Sequence, residues 1–366
     1  MKHSPALIPG QEGKRNLDQT DEMIAERRWQ RPLAYARFVV EDLARRVETS
    51  RRDFPWRFFR GDCHAHTQHS DGIGQVAEMA EMAQAAGLDF QFITDHWGLT
   101  QAVECRRAGL WVGQEPITEH HHLGILGLKE TFVPLNDLRR DFRSVKKRGG
   151  IPFIPHPAGW WPSRVYTDAQ RQALYELPDP FLMEIINGAN QTGTAFDYTD
   201  AAAVALWDEM LMSGRRVHAM GNTDAHAPHG VGSVWNGVLA PRCDEAAILR
   251  ALAAGRVFVS EAPLLWLQVG TTGMGQRLRA GTPTGPLRCR VVDAEGLLRV
   301  RLVADGKVRR TWHPDGKPVL DVVGAVPNRV RKYVRVEAIA MDGRRGYTNP
   351  VYFPVPPPSS RLSAPT

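Results

Sequence analysis

The segment GDCHAHTQHSDG, residues 61–72, places two histidines two positions apart at the end of an apolar run. On a β-strand, side chains at positions i and i+2 share one face, so His64 and His66 can point at one metal ion. Asp71 follows in a Ser-Asp-Gly turn that can bring its carboxylate back towards the same place. The segment predicts a metal site, although a histidine pair alone also fits a polar strand end with satisfied hydrogen bonds.

Two further segments end apolar runs with the same residue types. FQFITDHWG carries Asp95 and His96, and WVGQEPITEHHHLGILGL carries Glu115 followed by three consecutive histidines. A carboxylate can bridge two cations while imidazoles complete their coordination. Since three consecutive histidines cannot all face inward on a strand, we select His122, which borders the apolar run, and keep His120 as the next candidate.

The last two segments of this kind are IPFIPHPAGWW and VHAMGNTDAHAPHG. His156 stands between two prolines, which fix the backbone of a ligand. Asp224 and His226 repeat the two-residue spacing of the first segment. Because the predicted ligands are nitrogen and oxygen atoms, with no well-placed thiolate, Zn²⁺, Mn²⁺ or Fe²⁺ is expected rather than an iron–sulfur cluster.

Short apolar runs alternate with helical patterns over most of the chain, which predicts βα units and a mostly parallel sheet closed into a barrel or nearly so. Strands are expected to begin near Phe58, Phe90, Leu110, Leu123, Ile151, Phe181 and Val217. Helices are expected at residues 75–86, 136–147, 168–177, 200–212 and 244–254. A first helix is expected over 21–49, broken near Pro32, with Tyr35, Phe38, Val39, Leu43 and Val47 on its packed face.

Alternating runs after about Ala262, such as LRCRVVDA and YVRVEAIAMD, predict a small antiparallel β module, sandwich-like in form. We therefore divide the chain into an N-terminal tail with packing helices (1–57), a catalytic barrel (58–261), the β module (262–356) and a disordered tail (357–366). The first 17 residues are expected to be a loose tail.

The overall composition is ordinary for a globular protein, with 43% hydrophobic and 23% charged residues. The net charge of +6 would permit nucleic-acid binding, but acids and bases are interleaved, so we expect an anionic small molecule instead. No run is apolar for long enough to span a bilayer, and the start lacks a secretory pattern. The lack of a secretory pattern predicts a cytoplasmic protein. The four cysteines form no CxxC pair and are expected to be reduced. Homo-oligomerisation is left open.

These five segments, in this order, resemble the polymerase-and-histidinol-phosphatase (PHP) superfamily over about residues 60–260. The resemblance implies a distorted (β/α)7 barrel, with the β module appended, and two or three divalent ions. It further implies a first ion on His64, His66, Glu115 and Asp224, a second on Asp71, His96 and the bridging Glu115, and a third on His122, His156 and His226. Within the superfamily, FFRGDCHAHT, AAILRALAAGRVFVSEAPLLWLQVG and GYTNPVYF resemble the carbaryl-hydrolase branch.

The predicted reaction is hydrolysis by a hydroxide that bridges two divalent ions, with Asp95, His226 or solvent protonating the leaving group. Arg164 is a candidate anion contact, and Trp160 and Trp161 are candidate walls of an aromatic pocket. Glu184 and Asn187 end another strand and are candidates either for substrate contact or for positioning the metal ligands. A surface arginine and simple loop packing are the plain alternatives for Arg164 and the tryptophans.

Small-molecule phosphate esters are the leading substrate class, because most of the superfamily acts on phosphates and the chain is basic. An aryl carbamate or carboxylic ester is the alternative that the branch resemblance favours. A catalytically silent metal-binding scaffold is the third hypothesis, and it predicts missing ligands. A nuclease rests on charge alone.

Overall fold

The structure, a computed structural model, describes residues 27–118, 121–160, 164–188, 195–281 and 283–354. The predicted N-terminal tail (1–17) and C-terminal tail (357–366), His120 and Trp161 lie outside the described residues. The helices are α1 (Arg27–Arg51), α2 (Val76–Ala85), α3 (Ala102–Ala108), α4 (Leu138–Lys147), α5 (Asp168–Ala173), α6 (Tyr198–Met212) and α7 (Glu245–Ala253), with 3₁₀ turns at Leu174–Glu176 and Pro228–Gly230.

The first eleven strands lie in the part of the chain that was predicted to form the catalytic barrel. They are β1 (Phe59–Asp62), β2 (Phe90–Ile93), β3 (Trp111–Gln114), β4 (Gly124–Leu126), β5 (Ile151–Ile154), β6 (Gly159–Trp160), β7 (Arg164–Val165), β8 (Phe181–Asn187), β9 (Val217–Asn222), β10 (Trp235–Val238) and β11 (Val257–Ser260). The seven predicted strand starts lie within one residue of observed ones, which confirms them.

The remaining strands form the C-terminal module. They are β12 (Leu264–Val269), β13 (Thr272–Gly273), β14 (Leu287–Val292), β15 (Leu297–Ala304), β16 (Lys307–Trp312), β17 (Val319–Gly324), β18 (Tyr333–Ala340), β19 (Arg345–Thr348) and β20 (Val351–Tyr352). Their pairs with one another are antiparallel. Side chains of β12, β14, β15 and β18 share one hydrophobic cluster, so the predicted antiparallel β module is confirmed.

One large mixed sheet runs through both parts, in the order β16-β15-β18-β19-β11-β10-β1-β2-β3-β4-β5-β8-β9, with β20 on β18. The pairs β1–β2, β2–β3, β5–β8 and β8–β9 are parallel, whereas β4 runs antiparallel between β3 and β5. Strands β1, β2, β8 and β9 are buried along their whole length, as in parallel sheets covered on both faces. The result is a mixed α/β fold in which the carboxyl ends of the parallel strands meet at one edge.

Strand pairing among the described residues leaves β9 at one end of the path, so a closed (β/α)7 barrel stays a prediction. The free edge of β9 is nevertheless covered by side chains. The Asn349 amide pairs with both backbone groups of Ala219, and the Asn236 amide pairs with both backbone groups of Gly221. The segments that follow β1 and β9 also lie side by side, because His66 N donates to Ala225 O. The segment after β9 therefore meets the segment after β1 beside the predicted ligands.

Helix α1 departs from its prediction in two ways. It runs unbroken through Pro32, and its buried face is Ala36, Val40, Leu43 and Val47. Tyr35 and Phe38 are exposed, so the predicted face is correct only in its second half. Among the described residues, no helix is both long and apolar enough to cross a membrane.

Candidate metal centre

The nine predicted ligands converge on one edge of the large sheet. His64 and His66 follow β1, with Asp71 in the next loop; His96 follows β2; Glu115 follows β3; His122 precedes β4; His156 follows β5; Asp224 and His226 follow β9. Together they form four overlapping groups whose ligand atoms lie within 4.8 Å of one another. Every member is a predicted ligand, and no predicted ligand is missing from the groups.

Four of these side chains form an inner tetrad. His64 Nε2 and His66 Nε2 are 3.0 Å apart, and each lies 3.2 Å from Asp224 Oδ1. Glu115 Oε2 lies 3.1 Å from His64 Nε2 and 3.2 Å from His66 Nε2. A tetrahedral zinc ion with bonds of about 2.0–2.1 Å separates its ligand atoms by roughly 3.3 Å, close to these spacings.

Glu115 joins this tetrad to a second pair of histidines. Its other oxygen, Oε1, lies 3.1 Å from His122 Nδ1 and 3.1 Å from His156 Nε2. The carboxylate is buried, so its two oxygens are held between two sets of imidazoles. This is the geometry expected of a carboxylate that bridges two cations.

A third group forms around Asp71. Its Oδ2 lies 3.3 Å from His96 Nε2 and 3.3 Å from His226 Nε2. The His66 ring is stacked on the ring of His96 and tilted against that of His226, with centroids 4.4 and 4.5 Å apart. The group therefore shares His66 with the inner tetrad.

The grouping differs from the one implied by the resemblance. His226 lies with His66, Asp71 and His96, whereas His122 lies with His96 and Glu115, and His156 lies with His64 and Glu115. The reason is local, because His226 Nδ1 donates to Asp224 O over 2.8 Å and so turns Nε2 towards Asp71. His96 contacts both sets, since its Nδ1 lies 3.3 Å from Glu115 Oε2.

The donor set fits a divalent cation. His64 Nδ1 is 2.8 Å from Glu184 Oε1 and must donate to that carboxylate, which leaves a lone pair on Nε2. Asp224 Oδ1 is buried and accepts no hydrogen bond from the described residues. Lone pairs of imidazoles and carboxylates facing one another at about 3 Å repel unless a cation or a proton lies between them.

The pKa values show the same charge imbalance. Burial alone would lower the pKa of His66, but the carboxylates of Asp224 and Glu115 beside its ring outweigh burial and raise the pKa to about 10. The pKa of His64 is likewise raised well above its usual value by Asp224 and Glu115 against the effect of burial. The pKa of Glu115 is held far below its usual range by the surrounding histidines, although burial opposes this. Cations and protons therefore compete for the cluster.

Two of the ligands have a strained backbone conformation. His156 has φ +28° and Asp224 has φ +49°, in the left-handed region that non-glycine residues rarely adopt. Such conformations persist only where the surrounding structure enforces them, and they are common at functional sites. Prolines at 155 and 157 flank His156, as its sequence context indicated.

Glu184 accepts hydrogen bonds from two of the proposed ligands and from two asparagines beside them. Oε1 accepts hydrogen bonds from His64 Nδ1 and Asn222 Nδ2, both over 2.8 Å. Oε2 accepts from His156 N over 2.7 Å and from Asn187 Nδ2 over 3.0 Å. A carboxylate behind a metal-binding imidazole orients the ring and fixes its tautomer. Sequence reasoning did not single out Asn222, which only its burial at a strand end distinguishes.

Hydrogen bonds give two of the candidate residues positions inside the site. Asp95, a candidate proton donor, accepts from Thr67 N (2.8 Å), Thr67 Oγ1 (2.8 Å) and Ser70 Oγ (2.6 Å), and so holds the loop after His66. Asn187, a candidate for substrate contact or for positioning the ligands, is buried and donates to Glu184 (3.0 Å) and to Asp224 Oδ2 (3.2 Å). These contacts favour the positioning role for Asn187.

Aromatic and cationic side chains of the β6–β7 hairpin lie against the cluster. The Trp160 ring is 4.8 Å from His156 and 5.5 Å from His122, measured between centroids. The Arg164 guanidinium lies 5.5 Å from the rings of both Trp160 and Tyr166. Trp160 and Arg164, the predicted substrate contacts, therefore lie beside the ligand cluster. Tyr166 lies there too, although the sequence analysis did not single it out.

Comparisons with known proteins give partial matches. Residues 213–257 match a family described as PHP-associated, and no curated protein matches the sequence. A two-domain protein from Bacteroides vulgatus that contains a predicted PHP-like metal-dependent phosphoesterase is 17% identical, with 81% of this chain and 96% of that chain covered and a TM-score of 0.43.

Two other solved structures are similar over about half of the chain. The lesion-specific endonuclease PfuEndoQ from Pyrococcus furiosus is 14% identical, with 54% of this chain and 56% of that chain covered and a TM-score of 0.39. An amidohydrolase from Chromobacterium violaceum is 19% identical, with 54% and 96% covered and a TM-score of 0.35. Since these TM-scores lie below 0.5, function has to be argued from the residues of this chain. The matches give the carbaryl-hydrolase branch no support.

Proposed function

We propose that this protein is a divalent-metal-dependent hydrolase of the PHP type, acting on a small phosphate ester. The observation that carries the proposal is Glu115, whose two oxygens each lie within 3.2 Å of two histidine nitrogens. A silent scaffold predicted missing ligands, and the nine side chains instead form a continuous cluster. The proposal includes a closed (β/α)7 barrel, which is supported by the side chains that cover the edge of β9. It also includes the division of the chain into four parts.

Up to three ions are part of the proposal. We assign one to the tetrad of His64, His66, Glu115 and Asp224, with His156 beside His64 and Glu115. A second would be held by Glu115 with His96 and His122, and a third by Asp71 with His66 and His226. Zn²⁺, Mn²⁺ and Fe²⁺ all suit this set of nitrogen and oxygen ligands.

Bound divalent ions would lower the pKa of a coordinated water and polarise the scissile oxygen of the substrate. The chain itself supplies orientation and charge. Arg164, exposed beside the cluster, is placed to hold an anionic group of the substrate through its planar guanidinium. With Asp95 engaged by Thr67 and Ser70, and His226 Nδ1 donating to Asp224 O, solvent is the proton source we propose for the leaving group.

An aryl ester or carbamate is the second candidate substrate. Trp160 and Tyr166 favour it, because their rings lie 6.1 Å apart beside His156 and could contact an aromatic leaving group. For the chain as a whole, the cysteines at 63, 105, 243 and 289 are unpaired, and we propose a cytoplasmic location on that ground.

The decisive experiment compares p-nitrophenyl phosphate with p-nitrophenyl acetate on manganese-loaded protein, with and without chelator. Chelator-sensitive phosphate release is expected. Glu115→Ala should lose bound metal, measured by mass spectrometry, and about a hundredfold or more of the activity together. Glu81→Gln removes one exposed carboxylate from α2 and serves as the matched control.

The outcomes separate the candidates. Chelator-sensitive cleavage of acetate alone would replace the phosphoesterase with the ester or carbamate hydrolase. Full activity in a metal-free Glu115→Ala protein would overturn the metal mechanism. Metal binding without cleavage of either substrate would favour the scaffold.

A further inference from the structure

A second cleft lies at the other end of β9 from the metal centre. It has a volume of about 720 Å³ and is bounded by Arg216 on one side and by the loop between β12 and β14 on the other. Arg216 directly precedes β9, whereas Asp224 follows it. Since β9 is six residues long, roughly 20 Å of strand separate the cleft from the metal ligands.

Three arginines line this cleft, and the backbone explains how they come together. Arg277 forms a β-bridge with Tyr352, and Leu278 N donates to Tyr352 O over 2.9 Å. Leu278 is buried, so the extended backbone directs Arg277 and Arg279 to the opposite, open face. The Tyr352 hydroxyl donates to Val217 O over 2.9 Å, which ties this segment to the strand that begins beside Arg216.

The positive charge in the cleft is uncompensated. The lining contains no aspartate or glutamate. Among the described residues, none of the three guanidinium groups has a carboxylate partner within salt-bridge distance, and Arg277 and Arg279 are exposed to the cleft. The nearby Asp179 is occupied, because its Oδ1 accepts from Arg215 Nε (2.8 Å) and its Oδ2 from Arg216 N (3.0 Å). An anion that enters the cleft therefore meets three arginine side chains and no carboxylate of the lining.

The wall of the cleft is a fixed piece of structure. Gly270 and Gly275 have φ +58° and +76°, which glycine adopts without strain. A Cβ at Gly275 would come within 2.1 Å of Ala254 O, and one at Gly285 within 2.6 Å of the Gly270 Cα. Only glycine permits this close backbone packing, so the loop holds its arginines on a defined surface.

We infer that this cleft binds a small phosphorylated anion at a site distinct from the metal centre. Guanidinium groups match the geometry of phosphate oxygens, and their hydrogen bonds to an anion are charge-assisted. The volume lies within the roughly 300–1,000 Å³ typical of small-molecule sites, which favours a compact ligand over a nucleic-acid backbone. The inference does not depend on the reaction at the metal centre.

The test uses inorganic pyrophosphate and the full chain, stripped of metal by chelator, in isothermal titration calorimetry at low salt. Wild-type protein is expected to bind pyrophosphate. The double variant Arg277→Gln/Arg279→Gln should bind it about tenfold more weakly or worse, because charge-assisted hydrogen bonds are lost. Arg309→Gln/Arg310→Gln removes the same charge from the exposed strand β16 and should bind like wild type. Circular dichroism and thermal unfolding would verify that both variants fold.

Several results would overturn the inference. The first is no binding by wild-type protein, and the second is equal weakening in the two double variants, which would indicate unspecific attraction to net charge. The third is displacement of pyrophosphate by a short DNA duplex that itself binds more tightly, which would make the surface a nucleic-acid site.

Discussion

Glu184 shows how one side chain can set the geometry of several others. Its carboxylate receives four hydrogen bonds, from His64, Asn222, the backbone of His156 and Asn187. Two of these donors belong to proposed ligands, so the position of Glu184 fixes both a ring orientation and the strained backbone at His156. A residue with no contact to the cation can in this way control its binding.

We expect Glu184→Gln to weaken metal binding by about 10–100-fold while the protein remains folded. The glutamine amide would place a donor opposite two of the four donors, so either His64 and Asn222 or the His156 backbone and Asn187 would lose their acceptor. Metal affinity, measured by competition with a fluorescent chelator, is the readout, with the thermal unfolding midpoint recorded alongside.

Glu81→Gln, an exposed carboxylate of α2, is the matched control and should leave the affinity unchanged. If Glu184→Gln lowered the unfolding midpoint but kept the wild-type affinity, Glu184 would have a role in folding alone.

At the residue scale, the sequence predicted the members of the ligand cluster well, but it did not predict which of them lie next to each other. Ligand chemistry and strand-end position identified all nine residues of the cluster. The grouping of His226 depended on one hydrogen bond to Asp224 O, which no spacing reveals. Asp95 and His96 are neighbours with equal claims in the sequence, and the loop after His66 decided that Asp95 turns towards Thr67 and Ser70.

At the element scale, α1 shows the limit of periodicity. Because residues 35, 36, 38, 39 and 40 are all apolar, the sequence allows more than one face of this helix to be the buried one. In the structure Ala36 and Val40 are buried, whereas Tyr35 and Phe38 are exposed. The second half of the helix was predicted correctly because Leu43 and Val47 have few apolar competitors. The break expected at Pro32 did not occur, although this proline lacks the N–H that would bond to the carbonyl of residue 28.

Helix α1 is fastened to the β module by Arg46. Its guanidinium donates to both oxygens of Asp293, over 2.7 and 2.8 Å, and to Asp342 over 2.7 Å. The side chain of Asp293 is fully buried. We expect Arg46→Ala to destabilise the protein by about 3–5 kcal/mol, because it leaves a buried carboxylate without its cation.

Urea unfolding would measure this effect. Arg45→Ala, one residue away, removes an exposed pair with Asp42 and should cost about 1 kcal/mol or less. Equal effects of the two substitutions would show that the contact between α1 and the module adds little to stability.

At the scale of the whole molecule, the predicted boundary near residue 262 separates two parts that share a sheet. Strand β19 of the module pairs with β11, and Asn349 and Tyr352 reach β9. Arg335 of the module also pairs with Asp208 of α6 over 2.7 Å. Alternating patterns in the sequence located the module, but they carry no information on which side chains cover the edge of a distant strand.

Asn349 offers a test of whether the two parts unfold as one. Its buried amide substitutes for a neighbouring strand, with Oδ1 accepting from Ala219 N (2.7 Å) and Nδ2 donating to Ala219 O (3.0 Å) and Val257 O (3.1 Å). Asn349→Leu has a similar volume but leaves these backbone groups unpaired, which should cost about 3 kcal/mol. Calorimetry should show a single unfolding transition for the wild-type protein and for the variant, at a lower temperature in the variant. The reason is that Asn349 of the module pairs with the edge of β9 in the metal-binding part, so the two parts unfold together.

Asn328→Leu, at an exposed position of the module, is the control and should leave the transition temperature unchanged. Two transitions, of which only one moves in Asn349→Leu, would instead mean that the module is an independent domain and that β9 does not depend on it.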